Sequence, residues 1–365
     1  MKPVKLNMIS RVLCAAMLSL GLVLTSFDSN ATDLSGSESA NCYVVSNAGT
    51  YKFKSVKGNS ATSVGSVSSV AVLWESFCTA VEPNVGDLIK SVSYNDGYIY
   101  FQTADTFKEG NAVIAAKDAV GTILWSLQIW FTDQPQGQEY YNNAGTMMDR
   151  NLGATSATPG DVGALGLLYQ WGRKNPFLGS SSTSKDVVAK STITWPSAVE
   201  SNPYTGTIAY ATAHPTTFIT NNESNGDWYY TGSDSTDNSR WTESSSAKSI
   251  YDPCPSGWRV PDGGENSVWS KALGSSSPDI EFYDSSSDGM NFSGKFGSAS
   301  TIWYPYNYRI YDDECQGFFL SYGHYWSASP LDHGAYILYF GGYSGVEPSV
   351  GTNRARDLSV RCLQE

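Results

Sequence analysis

The stretch "YDPCPSGWRVP", residues 251–261, decides how this chain is read. Pro253, Pro255 and Pro261 fix φ and donate no ladder hydrogen bond, so the segment is neither a helix interior nor a central strand. It is a stiff turn shaped by Gly257, and it holds Cys254 in a chain of only six cysteines. What that cysteine does follows from the segments on either side.

Downstream, "DGGENSVWSKALG" (262–274) predicts a short helix, with Asp262 as its cap, Trp269 and Leu273 on one face and Gly274 as its stop. Three strand-like runs follow: "HYWSAS" (324–329), "AYILYFGG" (335–342) and "RDLSVRCLQE" (356–365). Upstream, "MMDRNLGA" (147–154) predicts a strand. "LGLLYQWGRKNPF" (165–177) predicts an amphipathic helix closed by Gly172 and Pro176. A long polar stretch dotted with aromatics (178–250) separates it from the turn.

The first part of the chain has a different grammar. In "SVSYNDGYIYFQT" (91–103), alternating residues enter and leave Asn95-Asp96-Gly97, a hairpin signal because that turn needs positive φ. "NAVIAAK" (111–117), the turn 118–121 and "TILWSLQIWF" (122–131) predict a second hairpin. Short strands with turns about every ten residues point to an immunoglobulin-like sandwich over 32–134, with Trp74, Trp125 and Trp130 in its core. Residues 135–145, polar with Pro135 and two glycines, read as a linker to a second domain over 146–365.

The beginning of the chain reads as a secretory signal. Lys2, Lys5 and Arg11 precede the apolar run 12–24 and a small-residue exit at Ala31. The whole chain carries −12, and removing a segment with two lysines, one arginine and one aspartate leaves −14. That charge gives no electrostatic case for nucleic acid or an anionic membrane. No later segment is apolar over a bilayer-spanning length. Cys42, Cys78, Cys254, Cys315 and Cys362 remain, with no C-x-x-C spacing for zinc or thioredoxin-type redox chemistry. Cys42 and Cys78 are candidates to staple the first domain.

"MDRNLGA", "GLLYQWGRKNPF", "CPSGWRVP", "YWSAS" and the terminal "VRC", in that order, resemble the Fibrobacter succinogenes major paralogous domain. That domain is abundant in secreted proteins of Bacteroidetes. The resemblance implies a C-type-lectin-like α+β fold over 146–365, so that the chain is mainly β with some α. It also implies a disulfide between Cys254 and Cys362, tying the turn to the last strand with Trp258 turned inward. The preceding segment is similar to the β domain of fimbrillin-type surface proteins.

No constellation reads as catalytic or metal-binding, and no cofactor is called for. The lectin-like fold also hosts a formylglycine-generating oxidase with paired reactive cysteines, but Cys315 stands alone beside Asp312, Asp313 and Glu314, which oppose thiolate formation. "EPN" (82–84) lies outside the lectin-like part. The EF-hand-like run 284–295 ends in Lys295, where a bidentate Glu is needed. His214, His324 and His333 fall in no hydrolytic motif. Two aromatic clusters remain: Trp228, Tyr229 and Tyr230, and Trp303, Tyr304, Tyr306 and Tyr308. Exposed, they stack on sugars or a protein partner; buried, they fill the cores of long loops. The reading is therefore an exported, non-enzymatic cell-surface protein, a fimbria-associated subunit or adhesin. Its partners are other surface subunits, or host or dietary glycans or proteins. The alternative is a calcium-independent glycan binder working alone.

Overall fold

The structure, a computed structural model, describes residues 30–185, 187–221, 226–232, 237–242, 248–274, 283–284, 287–307, 322–341 and 345–365. The signal-like segment through residue 29, Tyr308 and Cys315 lie outside the described residues. The fold is mainly β, 40% strand against 7% helix. Among the described residues no helix is long and apolar enough to cross a membrane.

Two four-stranded sheets build the first part. One runs Thr32–Asp33, Thr50–Lys54, Tyr98–Thr103, Ile89–Asn95; the other runs Cys42–Val45, Ile123–Phe131, Gly110–Lys117, Ser69–Ser76. Both predicted hairpins form. Asp96 and Gly97 turn the first with φ of 46° and 79°, the positive values that pair of residues accepts at low cost. Phe53, Ile99 and Phe101 from one sheet meet Ile114, Leu127 and Ile129 from the other in a single core. Trp74, Trp125 and Trp130 are buried, but only Trp125 lies in this core; Trp74 and Trp130 belong to a cluster that includes residues of the rest of the chain.

The rest of the chain centres on a six-stranded sheet, ordered Pro176–Leu178, Leu167–Gln170, Asp357–Ser359, Tyr322–Leu331, Gly334–Gly341, Gly345–Asn353. A second sheet joins Trp258–Arg259, Leu363–Gln364, Gly145–Met148 and Gly137–Tyr140. Only two α-helices occur among the described residues, Ile208–Ala213 and Val268–Leu273.

Several expectations need correction. The stretch read as a linker is a strand: Gly137–Tyr140 pairs antiparallel with Gly145–Met148. The helix expected over 165–177 is two strands. All four residues of Leu167–Gln170 are buried, and an apolar run covered on both faces carries no period to separate strand from helix. The second helix is shorter than read. Ser267, not Asp262, caps it, its hydroxyl accepting from Ser270 N at 2.9 Å. Asp262 is ion-paired to Arg259 at 2.7 Å instead. The strand read over 147–154 keeps only its first two residues, and that over 356–365 is split in two.

The opening turn is clasped from three sides. Cys254 and Cys362 are bonded across 108 residues, with Cα atoms 6.1 Å apart. The buried Asp252 carboxylate accepts from Cys254 N at 2.8 Å and Val260 N at 2.9 Å, drawing the turn's ends together. Lys248 Nζ donates to Pro255 O and Trp258 O at 2.9 and 2.6 Å, binding two carbonyls of the turn to one ammonium. Trp258 is only partly buried, at the margin of the core.

Burial pushes the Asp252 carboxyl up to about 6, against the downward pull of Lys248 and the Val260 and Cys254 amides. The folded chain therefore keeps a proton that the unfolded chain releases between about pH 4 and 6. Its contribution to stability is greatest below about pH 4 and declines by ~3 kcal/mol as pH rises towards 7. Asp252→Asn is expected to flatten that limb of the stability–pH curve, as read by urea unfolding at about pH 4 and about pH 7. An unchanged slope contradicts the assignment.

Candidate functional site

The sequence-predicted aromatics do not form a platform. Trp228, Trp303, Tyr304 and Tyr306 are buried, while Tyr229 and Tyr230 are partly buried. Nor do the clusters meet. Trp303 follows Asn291 in a small three-stranded sheet, and Tyr304 and Tyr306 pack into the core of Phe292, Phe296 and Phe340. The Arg361 guanidinium lies 3.7 Å from the Tyr304 ring centroid, closing that face to any ligand. Trp228 belongs to a separate core with Ala211, Ile219 and Ala355. As stacking surfaces these four residues are corrected: their loops fold back and spend the rings on filling their own interiors.

Around Trp228 the structure gathers a charged core that the sequence did not announce. Arg240 stacks between Trp171 and Trp228, with its guanidinium carbon 4.9 and 4.8 Å from the two ring centroids. Arg354 lies 4.4 Å from the other approach to Trp171. Both arginines bond Asp227: Arg240 Nη1 at 3.0 Å, with Nη2 on the second oxygen, and Arg354 Nη1 at 3.4 Å. Asp227 and Arg354 have no exposed surface. Burial lowers the Arg354 pKa to about 10, with Asp227 opposing the fall. Gly172 makes the stacking possible: its φ is 80°, and a Cβ there stands 2.5 Å from Arg240 Cβ.

The tryptophans act as ties. Each indole N–H reaches a backbone carbonyl on another segment: Trp171 to Ser327 at 3.0 Å, Trp228 to Trp171 at 2.8 Å, Trp241 to Arg173 at 3.2 Å and Trp326 to Tyr169 at 2.7 Å. A buried indole contributes a large apolar area and one donor, and in these four the donor is satisfied, whereas the buried Trp303 N–H meets no acceptor among the described residues.

Beside this core lies a small cleft lined by Arg173, Lys174, Asn175, Ala211, Trp228 and Tyr251 among others. Its most unusual group is Lys174, buried and with no carboxylate ion pair among the described residues. Its ammonium donates to Ser126 O at 2.7 Å, Ser126 Oγ at 2.8 Å and Asn175 Oδ1 at 2.8 Å, and sits 4.5 Å from the Trp125 ring centroid. Burial, reinforced by Arg173, holds its pKa well below the usual lysine range. Three acceptors surround the nitrogen, so the protonated side chain is held in position by all three of its N–H donors. Asp227 is likewise committed to two guanidinium groups. The chemistry of this site is that of struts.

Those struts join the two halves of the chain. Ser126 belongs to a first-part strand, and Lys174 to the turn after Leu167–Gln170. Tyr169 OH donates to Gln128 Oε1 at 2.7 Å, Gln128 Nε2 to Asn111 Oδ1 at 2.8 Å, and Asn111 Nδ2 to Gly153 O at 2.7 Å. Trp74, Val113 and Trp130 share one apolar cluster with Leu167, Trp171, Trp326 and Cys254. Cys42 and Cys78, the candidate staple, are each free and buried. Cys42 opens the edge strand Cys42–Val45, whereas Cys78 lies two residues past Ser69–Ser76 at the other edge, where Asn111 Nδ2 donates to its sulfur at 3.2 Å. Burial raises the Cys78 pKa to about 11 and pushes the Cys42 thiol higher still.

No family model, curated protein or solved structure matches the chain.

Proposed function

We propose that the chain is an exported, non-enzymatic surface protein, a fimbria-associated subunit or adhesin. In this reading the first part is an immunoglobulin-like sandwich and the rest a C-type-lectin-like domain of the major paralogous type. The observation that carries it is the use made of ionisable residues. Asp227, Arg240, Arg354 and Lys174 are enclosed among tryptophans and tied to fixed partners, as a load-transmitting scaffold requires and a catalytic site does not. A continuous core through both halves supports a head that moves with its stem rather than on a tether.

The test is fractionation of producing cells combined with protease shaving of intact ones. The chain is expected in the outer-membrane or extracellular fraction, with exposed loops such as that at Tyr204, 84% exposed, cleaved on whole cells. Recovery in the cytoplasm, or complete protection until lysis, overturns the reading.

A further inference from the structure

The first sheet of the chain carries a face that the candidate site does not use. Along Tyr98–Thr103 burial alternates: Ile99 and Phe101 enter the core, while Tyr98 and Tyr100 face outward and are partly exposed. The neighbouring strands place further polar side chains beside these rings. Lys52 and Ser93 flank Tyr100 in register, and Lys54 and Asn95 flank Tyr98. The same unit, lysine beside tyrosine beside a small polar residue, thus occurs twice along one sheet face. Residues two apart on a strand repeat at ~6.8 Å, and the two rings have centroids 6.4 Å apart. Lys52 Nζ lies 5.2 and 5.9 Å from those centroids, so one ammonium serves both rings.

This face is less acidic than the molecule as a whole. The chain carries −12, yet these six side chains include two cations and no acid. Asp33 stands at the rim opposite Lys52, its carboxylate accepting from Ser35 N and Oγ at 2.9 and 2.8 Å, and Asp96 stands in the turn beyond Asn95. None of the six is aliphatic, which is unlike the apolar centre of a protein–protein contact. Flat rings offering stacking area, ammonium groups at a repeat spacing and hydroxyl and amide groups between them match a chain of acidic sugars.

We infer that the face built from Lys52, Lys54, Ser93, Asn95, Tyr98 and Tyr100 binds a carboxylate-bearing polysaccharide. The rings stack on the sugars, and the two lysines pair with carboxylates along the polymer. The inference rests on the proposed role in surface recognition. Shaving tests that location and the following tests the ligand, so either can fail alone.

The purified exported chain is titrated with polygalacturonate, with hyaluronate and with fully methyl-esterified polygalacturonate, by calorimetry and affinity electrophoresis. At least one acidic polymer is expected to bind saturably, with esterification weakening polygalacturonate binding about tenfold or more. Tyr98→Ser/Tyr100→Ser and Lys52→Gln/Lys54→Gln are each expected to weaken binding about tenfold while the variants still unfold cooperatively, since Lys54 is exposed and the other three are only partly buried. Failure of both acidic polymers to bind, equal binding of the ester, or undiminished binding by either folded variant overturns the inference.

Discussion

Replacing Asp227 by alanine is expected to lower the unfolding free energy by about 3–5 kcal/mol, the range for stranding a buried charge. Asp227 has no exposed surface, and it is the carboxylate that both Arg240 and Arg354 bond. Its loss leaves two guanidinium groups facing each other among Trp171 and Trp228, with no water to take up the charge. Their stacking does not compensate, because a ring quadrupole contributes only ~1–2 kcal/mol even when desolvated. Asp227→Asn, which keeps the shape and removes the charge, is expected to cost nearly as much. The complementary variant, Asp227→Leu with Arg240→Met and Arg354→Met, is expected to recover much of the loss, since apolar groups of similar volume can replace a buried ion cluster. Urea unfolding followed by tryptophan emission reads all three. A loss under about 1 kcal/mol for Asp227→Ala means that solvent reaches the cluster, and the strut description then fails.

Why this core was invisible in the sequence is instructive. Asp227, Arg240, Arg354 and Trp171 are spread over nearly two hundred positions in segments with no helical or strand period, so nothing local marks them as neighbours. The one available signal was compositional: eleven tryptophans are more than a loop-rich surface needs, and rings of that size with one donor each are efficient fillers of irregular interiors. Turn chemistry was far more legible. Asp96-Gly97 declares its positive φ by residue type, and the two hairpins fell where alternation and turn together put them. Leu167–Gln170 was misread for the opposite reason: buried on both faces, it has no polar side to reveal a period of two. The linker reading failed because polarity was taken for exposure. Gly137–Tyr140 is polar but anchored through backbone pairing, to which side-chain polarity is indifferent. The outward Tyr98 and Tyr100 were in plain view as strand residues, but their function depends on Lys52 and Lys54 arriving from a strand about forty-five positions earlier.

Breaking the cross-link between Cys254 and Cys362 is the second large effect. Closing a loop of 108 residues corresponds to ~4–5 kcal/mol in the chain-entropy description. Cys254→Ala/Cys362→Ala is the cleaner variant: both positions have no exposed surface, and serine adds a buried hydroxyl in search of a partner. Each single alanine variant is expected to lose nearly as much as the double, because either one removes the whole bond. Guanidinium unfolding of the oxidised, reduced and double-alanine chains reads the loss. Agreement between reduced and double-alanine chains, both well below the oxidised one, is the expected pattern. Peptide mapping without reductant that finds the two cysteines unlinked, or a loss under about 1 kcal/mol, rejects the role assigned to the turn. Asp252 also limits the cost. Its carboxylate holds Cys254 N and Val260 N whether or not the sulfurs are joined, so the reduced turn keeps much of its shape. Combining Asp252→Asn with the double-alanine variant therefore removes both clasps from one turn, and their free energies are expected not to add.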